Sequence, residues 1–407
     1  MQFCRILVKL NINIYMDLCL KKFWKAGSGR QLAEWSGAEL DLNIPNNFVE
    51  LATKYDVLGD EAVKEIFNGR SFGEAYAYVT QLSKNKVLER ADLPDNLKRM
   101  FLNMQEKPAW VNDDLIKMGC NLCMRSGTNA LIALRDYSLM TGYDYAYLNK
   151  ALIYTGALKK GPAKRITDTL DFWVHVTRDK GLEINGLGYQ YIARTRMIHA
   201  FSRLMIKEKY ADWDKEKWGE PINLGDMVAT NIGFSLFYLH GLHKLGMHIS
   251  ENEELGVFHL WKYVGYLLGI PENYLPNNKK EATEMFYLWT DTQVSADEDS
   301  VMLAQALENE SIASNIFKKA YQKNFIKYLH TCYVRFLIDE ETCNRLQISK
   351  IKMYSLFPIF RKLHNKLLQK MTGISNKNYQ RAVYMGNILQ TKISEEYLKA
   401  DSDIHPK

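Results

Sequence analysis

Apolar side chains along most of this chain recur at the three- and four-residue spacing of helices. From Asp60 onward, few stretches alternate with period two, as half-buried strands would. The segment Leu187–Lys207 is apolar on both of its sides, which predicts a helix at the centre of the fold. The segment Pro162–Lys180 carries one broad apolar stripe, formed by Ile166, Leu170, Phe172, Trp173 and Val176. Together these patterns predict an all-α protein.

Capping residues predict some of the helix ends. Asp60 is expected to cap a helix over Glu61–Phe67. Ser250 and Glu253 have the spacing of a capping box in front of a long apolar run. Residues before about Leu40 lack such signals, and we expect them to be irregular.

The composition agrees with a helical globular protein. The 407 residues are 47% apolar and 25% charged, which excludes wholesale disorder. Nine prolines and 24 glycines are few for a turn-rich β fold, and six cysteines are too sparse for a disulfide framework. The longest uncharged apolar run, Met227–His243, has 17 residues and several polar side chains, so it predicts a buried helix. Arg5 and Lys9 interrupt the N-terminal segment, which lacks the apolar core of a signal peptide; a cytoplasmic location is expected.

The net charge of +6 comes from the C-terminal part of the chain. Between Thr342 and Ser394 there are ten Lys or Arg and no Asp or Glu, and the rest of the chain has 43 basic and 47 acidic residues. A nucleic-acid-binding protein would usually spread its basic face over the fold, so no nucleic-acid partner is expected. The segment Ser355–Met371 mixes apolar with basic residues, which predicts either a peripheral helix on an anionic membrane or a helix docked on the core with a solvated basic side.

The clearest chemical signal is one histidine between two arginines. Arg196, His199 and Arg203 share one helix face, because offsets of three, four and seven residues return to it. Two guanidinium groups disfavour protonation of the ring, and a neutral imidazole is a good iron ligand. The arginines would suit a doubly anionic cofactor such as a haem with two propionates. The alternative is a core histidine bonded to a backbone carbonyl, with the arginines at helix ends.

A third arginine lies inside an apolar stripe. Arg165 shares that stripe with Thr169, and a buried guanidinium needs an anionic partner. The partner is either a carboxylate of a neighbouring helix or an anion bound in a pocket. Other metal motifs are weaker, because His240 and His243 have no Glu at di-iron spacing.

Many short motifs between about Pro108 and Pro276 are shared, in order and spacing, with one known family. They are Leu134-Arg135, Gly142-Tyr143, Thr155-Gly156-Ala157-Leu158, Arg165-x-x-x-Thr169, Arg196-x-x-His199-Ala200-x-x-Arg203, Trp213-Asp214, Trp218-Gly219, Pro221-Ile222-Asn223, Asp226-Met227, Phe234-Ser235, Gly241-Leu242, Leu245-Gly246, His259-Leu260-Trp261-Lys262-Tyr263-Val264-Gly265 and Leu268-Gly269-Ile270. The chain resembles the haem-dependent oxygenases of the MpaB and latex-clearing rubber oxygenase family.

The resemblance implies a globin-like, all-α core that encloses a b-type haem. It gives His199 the role of the iron ligand, with Arg196 and Arg203 beside the cofactor. Arg165 and Thr169 are implied to border the haem pocket. We expect an N-terminal helical region over residues 1–100, the haem-binding core over 101–290, and a C-terminal helical region with the basic segment over 291–407.

The implied activity is the oxidative cleavage of a carbon–carbon double bond. Dioxygen and an apolar, isoprenoid-like small molecule would be the substrates, and Arg165, Asp168 and Thr169 the candidate catalytic residues. Rubber-cleaving members carry a lysine where this chain has Asp168, and a glutamate upstream where Leu148–Lys164 contains no carboxylate. A haem protein that senses or carries, and a helical scaffold without cofactor, therefore stay open as alternatives.

Overall fold

The computed structural model describes residues 17–40, 46–84, 93–156, 162–372 and 376–404. Within these ranges there is no strand, and a single isolated bridge joins Tyr145 and Ser295. The all-α prediction is therefore confirmed.

Helices are numbered in chain order. The α-helices are α1 (Leu18–Ala26), α2 (Ser28–Ser36), α3 (Phe48–Leu51), α4 (Val57–Ile66), α5 (Phe72–Leu82), α6 (Asp95–Gln105), α7 (Asp113–Arg125), α8 (Thr128–Ile132), α9 (Met140–Gly142), α10 (Ala146–Tyr154), α11 (Pro162–Val176), α12 (Leu187–Lys209), α13 (Lys215–Trp218), α14 (Leu224–Ile232), α15 (Tyr238–Lys244), α16 (Glu251–Leu267), α17 (Lys279–Thr290), α18 (Glu298–Glu308), α19 (Glu310–Ala313), α20 (Ala320–Leu337), α21 (Glu340–Arg345), α22 (Leu356–Thr372) and α23 (Asn376–Ile404). Two π-helical segments, Ala133–Leu139 and Gly233–Phe237, continue α8 and α14, and one 3₁₀ turn spans Glu272–Tyr274.

Helix α12 lies at the centre, as its two apolar sides predict. It packs against α4, α5, α11 and α16. Its side chains Ile192, Met197 and Ile206 have no exposed surface. The buried apolar cluster around it extends from Leu20 to Val383, so the N-terminal, central and C-terminal regions share one core. The residue boundaries of these three regions stay a prediction.

The start of α4 differs from the prediction. Asp56, not Asp60, caps this helix, because the Asp56 carboxylate accepts a hydrogen bond from the backbone N–H of Gly59 at 3.1 Å. Asp60 lies in the first turn and is 3% exposed, where it forms an ion pair with Arg203. Its role is to neutralise a buried arginine.

The prediction of an irregular N-terminal part is wrong for 17–40. Asp17 caps α1 by accepting a hydrogen bond from the N–H of Cys19 at 2.7 Å. Phe23 and Trp24 on α1 are buried, and the indole N–H of Trp24 donates to Thr290 at 2.8 Å. Tertiary packing on α17 thus stabilises helices too short to show a clear period in the sequence.

The two π-helical segments pack against each other near the centre. The hydroxyl of Ser138 in the first donates to the backbone carbonyl of Gly233 in the second at 2.7 Å. Such segments occur frequently at functional sites, because the extra residue shifts the direction of the side chains that follow. None of the described helices combines the length and the apolar character that a bilayer-spanning segment requires.

Candidate functional site

His199 is a neutral, poorly partnered imidazole on the central helix α12. Its Nδ1 atom is buried and has no hydrogen-bond partner among the described residues. Burial first, and then the charge of Arg203, lowers the pKa of His199 to about 4, while Asp56 opposes this shift. The residue nevertheless keeps part of its surface accessible. A ring that has lost its hydration but is not fully enclosed is suited to accept a ligand.

Arg196 and Asp56 form a buried, bidentate ion pair. The guanidinium donates from Nε to Oδ2 at 2.7 Å and from Nη2 to Oδ1 at 2.9 Å. The two side chains are 2% and 6% exposed. Their four polar atoms therefore satisfy one another, and the pair fixes α12 against the start of α4.

Arg203 is equally well satisfied. It pairs with Asp60 and also donates to the backbone carbonyls of Pro221 and Ile222, both at 3.1 Å. Burial raises the pKa of Asp60, and the Arg203 charge opposes that shift. The two arginines beside His199 thus have carboxylate partners inside the protein. The arginines are seven residues apart on α12, and the two aspartates are four residues apart at the start of α4. Their contact with a cofactor stays a prediction.

Arg165 on α11 differs from these two arginines. It is only partly buried, and its Nη1 donates to the hydroxyl of Tyr143 at 2.9 Å. Its guanidinium also lies 5.4 Å from the centre of the Tyr143 ring. Within the described parts of the chain, no carboxylate lies at ion-pair distance from Arg165. A partly buried cation without an acidic partner is a suitable contact for an anionic ligand.

Asp168 and Thr169 are exposed residues of the same helix. The Asp168 carboxylate accepts from the ammonium group of Lys164 at 3.1 Å, and its side chain is 60% exposed. Thr169 lies one turn after Arg165 and is exposed as well. Helices α11 and α12 pack against each other, so these residues and His199 belong to neighbouring helices.

The two π-helical segments and helices α10, α11 and α12 carry several apolar side chains that are incompletely buried. These side chains are Leu134, Leu139, Leu148, Leu152, Ile153, Ile166, Leu170, Phe172, Ile198, Phe201 and Phe234. A large apolar ligand requires a lining of this chemistry.

Other side chains of types that can bind metals have structural roles. The Nδ1 atom of buried His240 lies 2.7 Å from the hydroxyl of Tyr137, and burial lowers the pKa of this histidine. Cys120 and Cys123 are buried on α7, and burial raises the pKa of Cys123 to about 12, so the pair is unreactive. The described residues contain no group of three or more His, Cys, Asp or Glu side chains arranged to hold a metal ion.

Sequence reasoning missed Asp56, Asp60 and Tyr143 as partners of the arginines. Asp56 lies 140 residues before Arg196, and Asp60 lies 143 residues before Arg203. No local pattern specifies such pairings. The one available signal was that each pair returns to one side of its helix, since the acids are four residues apart and the arginines seven.

Comparison with known proteins gives one family. Residues 127–358 match the family described as ER-bound oxygenase mpaB/B'/Rubber oxygenase, catalytic domain. This range is more than half of the chain and contains Arg165, Thr169 and His199. The chain belongs to this family. Membership makes it an oxygenase-family protein and confirms the resemblance.

One solved structure shares the fold. It is the latex clearing protein LCP in its closed state, with a TM-score of 0.64 and 16% sequence identity. The match covers 84% of this chain and 91% of that chain. Compared with the curated proteins, the chain has no significant match. The structural likeness shows the globin-like helical fold, and at this identity it shows nothing more.

The residues present fit a b-type haem. Haem supplies most of the ligands of its own iron and needs one neutral imidazole from the protein. His199 is such an imidazole, with an unpaired buried nitrogen, and Arg165 is a cation that has no carboxylate partner among the described residues.

Proposed function

We propose that the protein is a b-type haem-dependent oxygenase that cleaves a carbon–carbon double bond of an apolar, isoprenoid-like small molecule with dioxygen. The observation that carries the proposal is His199: a neutral imidazole with an unsatisfied buried nitrogen on the central helix of an oxygenase-family protein. Bound haem would supply the activation of dioxygen, which no side chain can perform alone.

The protein would hold the cofactor from two helices. His199 would ligate the iron from α12, and the ion pairs of Arg196 and Arg203 would keep that helix in place against α4. Arg165 would bind a propionate from α11, and Tyr143 would orient the guanidinium through its hydroxyl group. These contacts would fix the orientation of the cofactor, on which the reaction would depend.

The remaining residues would control substrate and protons. The incompletely buried apolar side chains would bind the hydrocarbon and exclude water. Thr169 would donate or accept a hydrogen bond beside the cofactor. Asp168, directly before Thr169, would be the carboxylate that moves a proton, and Leu148–Lys164 contains no other carboxylate for this role.

The cofactor assignment is tested by absorption spectroscopy. The protein is purified from haem-supplemented cells beside His199→Ala and, as a control, His364→Ala, which changes an exposed histidine. We expect a Soret band and one haem per chain in the wild type and in the control, and no such band in His199→Ala. A full complement of haem in His199→Ala would refute the ligand assignment.

A second candidate function is a haem protein that does not react with its ligand. Two observations favour it. The lysine that precedes the threonine in rubber-cleaving relatives is Asp168 here, and it is engaged with Lys164. Asn149, in the region where those enzymes carry a glutamate, is fully buried and donates to the Tyr143 carbonyl and to Ser300.

Oxygen uptake distinguishes the two candidates. The haem-loaded protein is mixed with squalene or a carotenoid in detergent, and oxygen consumption and carbonyl products are followed. Asp168→Asn serves as the matched variant because it removes the charge and keeps the shape. We expect turnover in the wild type and a lower rate in Asp168→Asn. Haem binding without oxygen uptake on either substrate would favour the sensor or carrier.

A further inference from the structure

Helix α22 presents its apolar side to solvent. Five large apolar side chains on that side are strongly exposed: Leu356 (59%), Ile359 (45%), Phe360 (74%), Leu363 (60%) and Leu367 (60%). Most amphipathic helices bury this side, since exposed apolar area costs free energy. The alternative in which α22 docks on the core through its apolar side and solvates its basic side is therefore wrong.

Polar contacts hold the helix in this orientation. Arg361 donates from Nε to the Tyr333 hydroxyl at 2.8 Å and from Nη1 to Asn129 at 3.1 Å. Asn365, which is 8% exposed, donates to the backbone carbonyl of Leu245 at 2.8 Å. The polar side of α22 is thus bonded to the protein, and rotation of the apolar side inward would leave these groups unsatisfied.

Aromatic side chains of α20 extend the apolar surface. Tyr321 is 66% exposed and Phe325 is 51% exposed. The Phe325 ring lies 6.2 Å from the ring of Phe357 on α22, so the two helices join at this point. We call the combined surface of Tyr321, Phe325, Leu356, Ile359, Phe360, Leu363 and Leu367 the outer face. Patches of this kind on a soluble fold usually mark an interaction site.

Two long stretches of the chain around the outer face carry only positive charge, with Asp339, Glu340 and Glu341 between them. Between Ser311 and Ile338 there are five Lys or Arg and no Asp or Glu, and between Thr342 and Ser394 there are ten and none. Lys352 and Lys366 are exposed. A partner that matches this surface is apolar at its centre and anionic at its rim.

The positive charge around the outer face distinguishes between the partners that could cover it. A second copy of this chain would bring the same positive charge against itself. The N-terminal segment 1–16 is apolar but carries Arg5 and Lys9 and no acidic residue, so it offers no complement either. We propose that the outer face docks on the surface of an anionic lipid bilayer, with α22 parallel to the membrane plane and the exposed Lys352 and Lys366 at the lipid phosphates. This inference goes beyond the proposed function, because it needs no haem and no turnover.

Vesicle flotation of the full chain tests the proposal. Vesicles of phosphatidylcholine, with and without phosphatidylserine, are compared for the wild type and for the double variant Phe360→Glu/Leu363→Glu. Both substituted residues are exposed, so the fold is expected to persist, and circular dichroism checks this. The control is Leu255→Glu, at a 43% exposed leucine of α16.

We expect the wild type to float with the anionic vesicles and to stay behind with the neutral ones. The double variant should bind at least about tenfold less, because two carboxylates replace apolar contacts and oppose the lipid charge. Leu255→Glu should bind as the wild type does. Lys352→Gln/Lys366→Gln and added salt should each weaken binding.

Three results would overturn the proposal. They are no flotation with anionic vesicles, equal flotation with neutral vesicles, and flotation that the double variant leaves unchanged. Self-association that the double variant abolishes, without any vesicle binding, would assign the outer face to a second copy instead. None of these results depends on haem content, so they are separate from the tests of the oxygenase function.

Discussion

At position 165 an arginine lies in apolar surroundings with a tyrosine, not a carboxylate, as its hydrogen-bond partner. If Arg165 binds a propionate, Arg165→Leu should lower the affinity for haem at least about tenfold, since a charge-assisted hydrogen bond contributes about 1.5–3 kcal/mol. Arg165→Lys keeps the charge and should retain most of the affinity. Haem titration of the apoprotein measures both. Equal affinity of Arg165→Leu and the wild type would remove Arg165 from the site.

Arg196 should stabilise the fold by neutralising the buried Asp56 carboxylate. Arg196→Met leaves the Asp56 carboxylate buried without a counter-charge, which should lower the free energy of unfolding by about 3–5 kcal/mol. Adding Asp56→Asn should recover much of this loss, because asparagine is neutral and still caps α4. Urea unfolding compares the variants. A double variant as unstable as Arg196→Met would show that packing, and not charge, dominates here.

Asp226 should make stability depend on pH. Burial raises its pKa from 3.8 to about 6, while hydrogen bonds from Trp289 and Asn223 oppose the shift. Between these two pH values the folded state binds more protons than the unfolded state, so this group's contribution to stability is lost as the pH rises. Asp226→Asn should therefore gain about 2 kcal/mol relative to the wild type between about pH 4 and pH 7.

The control for this series is Glu395→Gln, which changes an exposed carboxylate on α23. Its stability should follow the wild type at every pH. A constant difference between Asp226→Asn and the wild type across the range would contradict a raised pKa at this site.

At the scale of helices, α7 and α16 cross with their backbones in direct contact. A Cβ atom added at Gly119 would lie 2.4 Å from the backbone oxygen of Gly256, and the backbone cannot move away as a flexible side chain could. Gly119→Ala should therefore cost about 1–3 kcal/mol of unfolding free energy. Gly142→Ala is the control, because nothing lies within 4 Å of its added Cβ, and it should be neutral or slightly stabilising. A Gly119→Ala protein as stable as the wild type would mean that these helices can separate.

Helix ends with local signals were predictable from the sequence. The capping box of Ser250 and Glu253 forms as its spacing predicts, and α16 follows it. The prediction that Asp60 caps α4 was wrong, because the sequence alone does not distinguish an aspartate that caps a helix from one that pairs with a buried arginine. What distinguishes them is Arg203, which lies 143 residues away and meets Asp60 only in the folded chain.

For the candidate site too, local features were predictable from the sequence and distant pairings were not. The spacing of Arg196, His199 and Arg203 places them on one helix. The predicted neutral state of the ring agrees with the lowered pKa of His199, but burial is its main cause, and Arg203 is the arginine that adds to it. The acidic partners Asp56 and Asp60 could not be deduced, because their pairing depends on how α4 packs on α12. Arg196 and Arg203, which the sequence assigns to a cofactor, form ion pairs with carboxylates of the protein itself.

At the scale of the whole molecule, two chains with very different sequences have a similar fold. The chain shares its helical architecture with the latex clearing protein at 16% identity. Packing of apolar helix faces tolerates many substitutions, whereas the chemistry depends on a few residues at the site.

The most direct test of the central claim replaces the His199 side chain by a free ligand. His199→Gly is reconstituted with haem, and the absorption spectrum is recorded with and without imidazole, beside His364→Gly. If His199 ligates the iron, imidazole should restore a wild-type-like Soret band in His199→Gly and change nothing in His364→Gly. A wild-type spectrum in His199→Gly without imidazole would contradict the account, because haem would then be held by another residue.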